Sequence, residues 1–327
     1  MFVVDLGFSG AKWLHGEDRG TVRSCFRRSR EGLSFQGDRY LVGERALLET
    51  GSRYLRTVEE LVEMYPLFVS ACSAAAGVSR DEVLVVGLPY DYWRDAKDSE
   101  SPSNPIGVLK GSLRSIGDSA SRTGPSGAGP SGTGTLEFGR VAVFPQGLGG
   151  IKAYLAMKTG VSGNILGVDI GFNTVIYALY SCAHGEMLAG KTFYRKGVCD
   201  MAVNGLIPRI KGYLHGVTVT PLEIDYAMQS GALQVGFDKV DISPEAGEAA
   251  RAYVNDLFSL VTGDIKASHG RGVAFDTVLF FGGGARLLAG KVEASKVKVV
   301  VMEDPEYANA IGFRARAEEM IAGDARK

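Results

Sequence analysis

One short pattern occurs twice in this chain and limits the folds that the chain can adopt. Asp5 to Lys12 reads DLGFSGAK and follows the apolar run Phe2 to Val4. Asp169 to Thr174 reads DIGFNT and follows the apolar run Ile165 to Val168. Each copy predicts a strand, a tight turn and a second strand. A single Asp-x-Gly after a strand is typical of an ordinary turn, but two copies in matching strand contexts favour a shared function.

Both predicted hairpins have the chemistry of a phosphate site. Glycine lets the backbone approach a phosphate chain closely, and the exposed N–H groups of the turn are donors. A carboxylate beside phosphates is repelled unless a hydrated divalent cation lies between them, and Mg²⁺ suits this role because it keeps most of its waters. We therefore expect Asp5 and Asp169 to hold Mg²⁺ through water.

A third motif lies near the end of the chain. Asp276 to Phe281 reads as a buried strand, and Gly282, Gly283, Gly284 and Ala285 then turn into a helix. Glycines at such a junction let a nucleotide lie against bare backbone and the positive end of the helix. Alone this motif is weak evidence for a nucleotide site, but its combination with the two preceding hairpins is specific.

In this order the motifs resemble those of the actin, Hsp70 and sugar-kinase superfamily, and within it the prokaryotic actin-like ATPases of the ParM and archaeal actin-homologue type. Residues 141–150 (VAVFPQGLGG) resemble the first connecting segment of that family, and residues 304–312 (DPEYANAIG) the second. The resemblance implies an α/β, actin-like fold: two related ribonuclease-H-like domains with a nucleotide cleft between them. It places domain I at residues 1–160 plus 303–327 and domain II at residues 161–302.

The resemblance also implies roles for single residues. Gln146 matches the position that orients the attacking water, and Asp5 and Asp169 complete the catalytic set. The alternatives are that Gln146 is a polar residue at a helix start and that Lys12 is a solvated strand lysine. Asn173 stands where relatives carry a small residue. The implied nucleotide contacts are Gly7, Ser9, Gly10, Lys12, Gly171, Asn173, Thr174, Gly282, Gly283, Gly284 and Ala285.

The implied function is an ATPase whose nucleotide-dependent filaments serve plasmid or DNA segregation or intracellular organisation, with ATP and Mg²⁺ as cofactors and GTP left open. One alternative is a small-molecule kinase, for which Asp91, Asp95 and Asp98 are the only carboxylates in a suitable place. Another is a scaffold that binds nucleotide without hydrolysing it. The implied partners are further copies of the chain and a DNA-binding adaptor protein.

Composition and charge argue against several classes of protein. A net charge of -1 gives no global attraction to nucleic acid, and no run is apolar enough for a membrane span. The four cysteines show no C-x-x-C spacing, which indicates reduced thiols and a cytoplasmic protein. Acidic neighbours favour a solvated or filament-facing surface over direct nucleic-acid binding for one arginine-rich stretch, formed by Arg19, Arg23, Arg27, Arg28 and Arg30.

Residues 98–135 are rich in Gly, Ser and Pro in their second half and predict a flexible surface loop, because such a segment buries too little apolar surface to offset the entropy of ordering. Residues 55–76 have helical spacing, with Pro66 expected to kink or split the helix. Further predicted helices cover residues 151–159, 198–215, parts of 221–232 and 244–268, and 307–322, the last packing against the first half.

Overall fold

The computed structural model describes residues 1–78, 81–97, 104–116, 136–216, 219, 221–269, 274–288 and 297–324. The chain divides into two compact units. Unit 1 comprises Met1–Met157 and Tyr307–Lys327, and unit 2 comprises Lys158–Glu306. The sequence predicts domain boundaries after residue 160 and before residue 303.

The strands, in chain order, are β1 Phe2–Leu6, β2 Gly10–His15, β3 Asp18–Arg23, β4 Cys25–Ser29, β5 Leu33–Phe35, β6 Asp38–Val42, β7 Arg53–Tyr54, β8 Glu82–Leu88, β9 Ser115–Ile116, β10 Leu136–Pro145, β11 Asn164–Ile170, β12 Thr174–Ser181, β13 Glu186–Tyr194, β14 Ala232–Val235, β15 Asp238–Asp241, β16 Thr277–Phe281 and β17 Lys298–Val301. The α-helices are α1 Glu44–Leu47, α2 Val58–Ala76, α3 Tyr90–Lys97, α4 Pro105–Arg114, α5 Leu148–Met157, α6 Val198–Asp200, α7 Ile207–Leu214, α8 Pro221–Ser230, α9 Ser243–His269 and α10 Ala308–Asp324.

Unit 1 is built on a six-stranded sheet in the order β3-β2-β1-β8-β10-β9. β1, β8 and β10 run parallel, β2 pairs antiparallel with β1, and β3 pairs antiparallel with β2. β1 and most of β8 are buried and apolar, as expected for strands covered on both faces. A second sheet, β5-β6-β4-β7, lies in the same unit.

Unit 2 repeats this plan in a five-stranded sheet in the order β13-β12-β11-β16-β17. β11 and β12 form an antiparallel hairpin, and β11, β16 and β17 run parallel. The two motif strands, β1 and β11, therefore hold the same place in their sheets. Helix α9 packs on the core of unit 2 through Val254, Leu257, Val261 and Ile265.

Helix α2 runs unbroken through Pro66, so the expected split of this helix is wrong. Proline removes one backbone hydrogen bond, a cost of about 3 kcal/mol in a helix interior. Both ends of α2 are capped: the Thr57 side chain accepts from the Glu60 N–H, and Gly77 ends the helix in a left-handed conformation. The burial of Leu61, Phe68 and other apolar residues of α2 offsets the remaining free-energy cost of Pro66.

Part of the predicted loop at residues 98–135 is ordered, so that prediction is wrong over residues 105–116. The side chain of Asn104 accepts from the Ile106 N–H at 2.8 Å, and Pro105 supplies a helical backbone angle at the first position of α4. Leu109 and Leu113 of this helix are buried. Residues 98–103 and the Gly-rich residues 117–135 lie outside the described residues.

Other elements differ from the prediction in detail. The helix expected at residues 198–215 consists of α6, a π-helical segment Met201–Leu206 and α7. The hairpin β14/β15 was not predicted.

The expected packing of the last helix is confirmed, because α10 lies against α5, β1 and β8 within unit 1. A side chain on Gly312 of α10 would lie 1.8 Å from the Gly149 carbonyl oxygen, so the backbones of α10 and α5 touch. Among the described residues no helix is long and apolar enough to cross a membrane.

Candidate functional site

The first hairpin has a four-residue turn at the end of β1. Leu6 pairs with Ala11, and the Gly7 N–H donates to the Gly10 carbonyl at 3.1 Å. The Ser24 hydroxyl donates to the Gly7 carbonyl, and the Ser24 N–H donates to the Ser9 carbonyl at 3.2 Å. The turn is therefore held from outside by the connection between β3 and β4.

The Lys12 ammonium folds back over this turn. Its Nζ donates to the Gly10 carbonyl at 3.0 Å, and a side chain on Gly7 would lie 3.3 Å from it. This places a positive charge beside the turn.

Asp5 lies one residue before the end of β1 and is 5% exposed. The Gln146 amide donates to Asp5 Oδ1 at 2.7 Å and to the Leu6 carbonyl at 3.2 Å. Burial raises the pKa of the Asp5 carboxyl, while the Lys12 charge and hydrogen bonds from Gln146 and Asn309 act in the opposite direction. The carboxylate is thus oriented by neutral amide groups in a place where its charge is poorly solvated.

Gln146 directly follows β10, whose last residue Pro145 pairs with Leu88. The Gln146 N–H donates to the Leu88 carbonyl at 2.7 Å, and the residue is 7% exposed. The backbone and the side chain of Gln146 are therefore both fixed.

Tyr65 of α2 supports the same strand ends. The β1/β8 pairing ends at Val4 and Val86, and the Tyr65 hydroxyl lies where the ladder would continue. The hydroxyl is 3.0 Å from the carbonyls of Val4 and Gly87, and it accepts from the N–H groups of Leu6 and Gly87 at 3.3 and 3.1 Å.

The second hairpin, in unit 2, has the same turn as the first. Ile170 pairs with Val175, and the Gly171 N–H donates to the Thr174 carbonyl at 2.9 Å. Asp169 is 7% exposed, Thr174 is buried and Asn173 is partly exposed. Asp169 therefore stands in its hairpin where Asp5 stands in the first.

The start of α6 closes on this turn. The N–H groups of Val198 and Cys199 donate to the carbonyls of Gly171 and Phe172 at 3.0 and 2.8 Å. Two carbonyls of the turn, those of Gly171 and Phe172, are thereby occupied.

The glycine motif lies beside Asp169. β16 pairs with β11, and Gly282 follows β16 with φ +82°. A side chain at Gly282 would lie 2.2 Å from Asp169 Oδ1, so only glycine fits here. The expected helix is a 3-10 helix, Gly283–Leu288, and the Arg286 guanidinium forms a two-point ion pair with Glu306.

The structure brings the predicted residues together as two groups, one in each unit. Sequence reasoning missed Ser24, Tyr65 and the role of Asn309, although Asn309 lies in a segment singled out for its resemblance. Unit 1 holds Asp5, Gly7, Ser9, Gly10, Lys12 and Gln146. Unit 2 holds Asp169, Gly171, Asn173, Thr174, Gly282, Gly283, Gly284 and Ala285.

No family model and no curated protein sequence matches the chain. Solved structures do match it over nearly its whole length. The archaeal actin homologue Ta0583 superposes with a TM-score of 0.74 at 18% identity, covering 98% of this chain and 100% of that chain. The chain has the prokaryotic actin-like fold.

Two further structures agree. A non-polymerisable quadruple mutant of pCBH ParM gives a TM-score of 0.71 at 16% identity and covers 97% of this chain and 98% of that one. The actin-like protein Alp7A gives 0.70 at 15% identity, with coverages of 99% and 98%. The actin-like fold expected from the motifs is confirmed. At sequence identities this low, the match shows the fold alone.

Proposed function

We propose that this protein binds Mg-ATP, hydrolyses it and assembles into filaments whose stability depends on the nucleotide. The observation that carries the proposal is the repeated hairpin. Each unit has a buried aspartate one residue before the strand end, followed by the same four-residue turn closed by an N–H to carbonyl hydrogen bond. Such turns direct backbone N–H groups at an anion.

The proposed roles of the turns come from the resemblance to actin-like proteins. By that resemblance Ser9, Gly10 and Lys12 are the phosphate contacts of unit 1, and Gly171, Asn173 and Thr174 are those of unit 2. The glycine turn Gly282–Ala285 leaves backbone bare for the adenosine part. A structure of Ta0583 in complex with ADP superposes with a TM-score of 0.75 at 18% identity, which supports a nucleotide as the ligand.

The residues present fit a hydrated Mg²⁺. Within the described part of the chain no three His, Cys, Asp or Glu side chains form a metal cluster. Mg²⁺ bound to a nucleotide needs no such cluster, because waters and phosphate oxygens fill most of its positions. The buried Asp5 and Asp169 carboxylates supply the one or two protein charges that remain, and the cation would neutralise charge on the phosphates.

Gln146 gives the proposal its hydrolytic step. Its amide N–H groups face Asp5 and the Leu6 carbonyl, so the amide oxygen is the acceptor that can orient a water. A glutamine is too weak a base to remove a proton, but phosphoryl transfer depends mainly on positioning.

The proposal of filament formation rests only on the similar solved structures. One solved structure is a 15-stranded ParM filament from Clostridium botulinum, with a TM-score of 0.69 at 15% identity. By analogy we propose self-assembly in the cytoplasm for segregating plasmid or other DNA, or for organising the cell interior, with a DNA-binding adaptor linking filament to cargo. Direct nucleic-acid binding is disfavoured, because Arg27 and Arg28 are ion-paired with Glu49 and Asp38.

The kinase alternative loses support from the structure. Asp91 and Asp95, which would activate an acceptor hydroxyl, both form ion pairs with Arg94, at 3.1 and 2.8 Å. Asp98 lies outside the described residues. A coupled phosphorylation screen over sugars and other small acceptors separates a kinase from an ATPase.

The deciding experiment measures phosphate release from ATP and from GTP, with and without Mg²⁺. We expect Mg²⁺-dependent release by the parent protein. Tight binding of nucleotide without release would support the scaffold alternative, and absence of binding would contradict the proposal.

A further inference from the structure

Asn309 is a buried polar residue near the start of α10, with 5% of its surface exposed. The Asn309 side-chain oxygen accepts from two backbone groups, the Gly147 N–H at 3.1 Å and the Gly150 N–H at 3.3 Å. These groups belong to the turn that follows Gln146 and to the first turn of α5. One side-chain oxygen thus holds the segment that carries Gln146.

The amide nitrogen of the same side chain is directed elsewhere. The Asn309 side chain also hydrogen-bonds the Asp5 carboxyl, which accepts from Gln146 as well. The Asp5 carboxylate therefore accepts from both Gln146 and Asn309. Asn309 in turn accepts from the backbone N–H of Gly147, the residue that directly follows Gln146. None of these contacts requires a bound ligand.

Close packing fixes Asn309 in this position. A side chain on Gly149 would lie 2.8 Å from the Asn309 Cα, carbonyl oxygen and side-chain oxygen, so α5 and α10 meet without intervening atoms. The backbone of Asn309 is thereby held against the start of α5.

We propose that Asn309 is a positioning residue for ATP hydrolysis: it sets the distance between the Asp5 carboxylate and the Gln146 segment. The inference rests on the proposed function. Asn309 itself does not touch the reacting atoms; it acts through Asp5 and Gln146. A misplacement of about 1 Å in such a group can cost on the order of 100-fold in rate.

Two substitutions separate its contacts. Asn309→Asp keeps an oxygen that accepts from Gly147 and Gly150 but loses the amide donor to Asp5 and sets a like charge beside it. Asn309→Ala loses both contacts. We expect kcat to fall about tenfold or more in each, with the KM for Mg-ATP changed less than about twofold.

Asn104 provides a matched control in the same unit. Its side-chain oxygen also accepts from two backbone N–H groups, those of Ile106 at 2.8 Å and Gly107 at 3.4 Å, at the start of α4. Asn104→Asp loses the amide donor to the Ala96 carbonyl at 2.6 Å, and Asn104→Ala loses that contact and both N–H contacts, without touching Asp5 or Gln146. They should lower the melting temperature while leaving kcat at the parental value.

The measurements are kcat, KM and melting temperature for the parent and all four variants. Loss of kcat confined to the Asn309 variants supports the inference. Parental kcat in Asn309→Asp overturns it, as does an equal loss in Asn104 variants of equal stability. If Asn309→Ala does not fold, Asn309→Asp decides. An inactive parent would overturn the proposed function itself, whereas an active parent with unaffected Asn309 variants overturns only this inference.

Discussion

At the scale of single residues, Gln146 is fixed by hydrogen bonds from its side chain to Asp5 and Leu6 and from its backbone to Leu88. If its amide acts mainly in the transition state, Gln146→Ala lowers kcat about tenfold or more with little change in nucleotide affinity. Phosphate release and nucleotide titration on the same sample test this. Gln234→Ala, which changes an exposed glutamine of unit 2, is the control. Weakened binding with normal turnover would return Gln146 to the role of a helix-start residue.

Asp169 gives a second prediction. Its carboxylate is buried beside Gly282, at the end of β11 where the second turn begins. Asp169→Ala should abolish Mg-ATP hydrolysis while the protein stays folded, because the phosphates lose one of two carboxylates that hold Mg²⁺.

The control for Asp169 is Asp276→Ala. The Asp276 carboxylate accepts from the Asn164 N–H at 2.8 Å, at the opposite end of the β11/β16 pair. We expect this variant to lose stability and keep activity. Hydrolysis at the parental rate by folded Asp169→Ala protein would show that the second hairpin is not part of the site.

Tyr65 gives a prediction about stability. Tyr65→Phe removes the hydroxyl that pairs with the Gly87 N–H and with the carbonyls of Val4 and Gly87, all at about 3 Å in a buried place. Leaving buried backbone groups without partners costs about 1–3 kcal/mol. Denaturant unfolding should show a loss of this size. A difference below about 0.5 kcal/mol would mean that other groups or water replace the hydroxyl.

These residues also show how far the sequence could go. Asp5, Gly7, Gly10 and the Gly282 turn were predictable because each motif is local, with strand, turn and glycine adjacent in the chain. Tyr65, Ser24 and Asn309 were not, because they reach β1 or the turn after it from distant positions and their contacts exist only once the chain has folded. Their residue types are common in helices and turns and carry no signal alone.

At the scale of elements, the differences between the predicted and the observed helices and strands have local causes. Pro66 does not split α2 because tertiary burial and two caps outweigh one missing hydrogen bond. Helix α4 was not predicted because it lies next to a Gly/Ser/Pro-rich stretch, although Asn104-Pro105 is a helix-start signal. The hairpin β14/β15 is short and half polar, so its alternation was hard to distinguish from a loop.

The segment between β9 and β10 gives a prediction at this scale. Ile116 and Leu136 pair across these strands, so both ends of the segment are already adjacent. Deleting residues 121–134 should leave nucleotide affinity within about twofold, because the entropy of closing a loop changes slowly with its length. Titration with a fluorescent nucleotide tests this. A large loss of affinity would show that the segment contributes to the nucleotide site.

At the scale of the whole molecule, two units carry the same sheet plan and place an aspartate at the same position of the same hairpin. The likeness in fold to Ta0583, ParM and Alp7A extends over both units, because each match covers 97% or more of this chain. The proposed activity follows from the combination of both hairpins with Gln146 and the glycine turn.

The most direct test of the account follows phosphate release and sedimentation in one sample of the parent protein, with and without Mg-ATP, beside Asp169→Ala. We expect Mg-ATP to bring the parent into the pellet, phosphate release to accompany assembly, and chelation of Mg²⁺ to abolish both. Folded Asp169→Ala protein should release no phosphate. Absence of Mg²⁺-dependent phosphate release by folded parent protein that has been supplied with ATP would contradict the central claim.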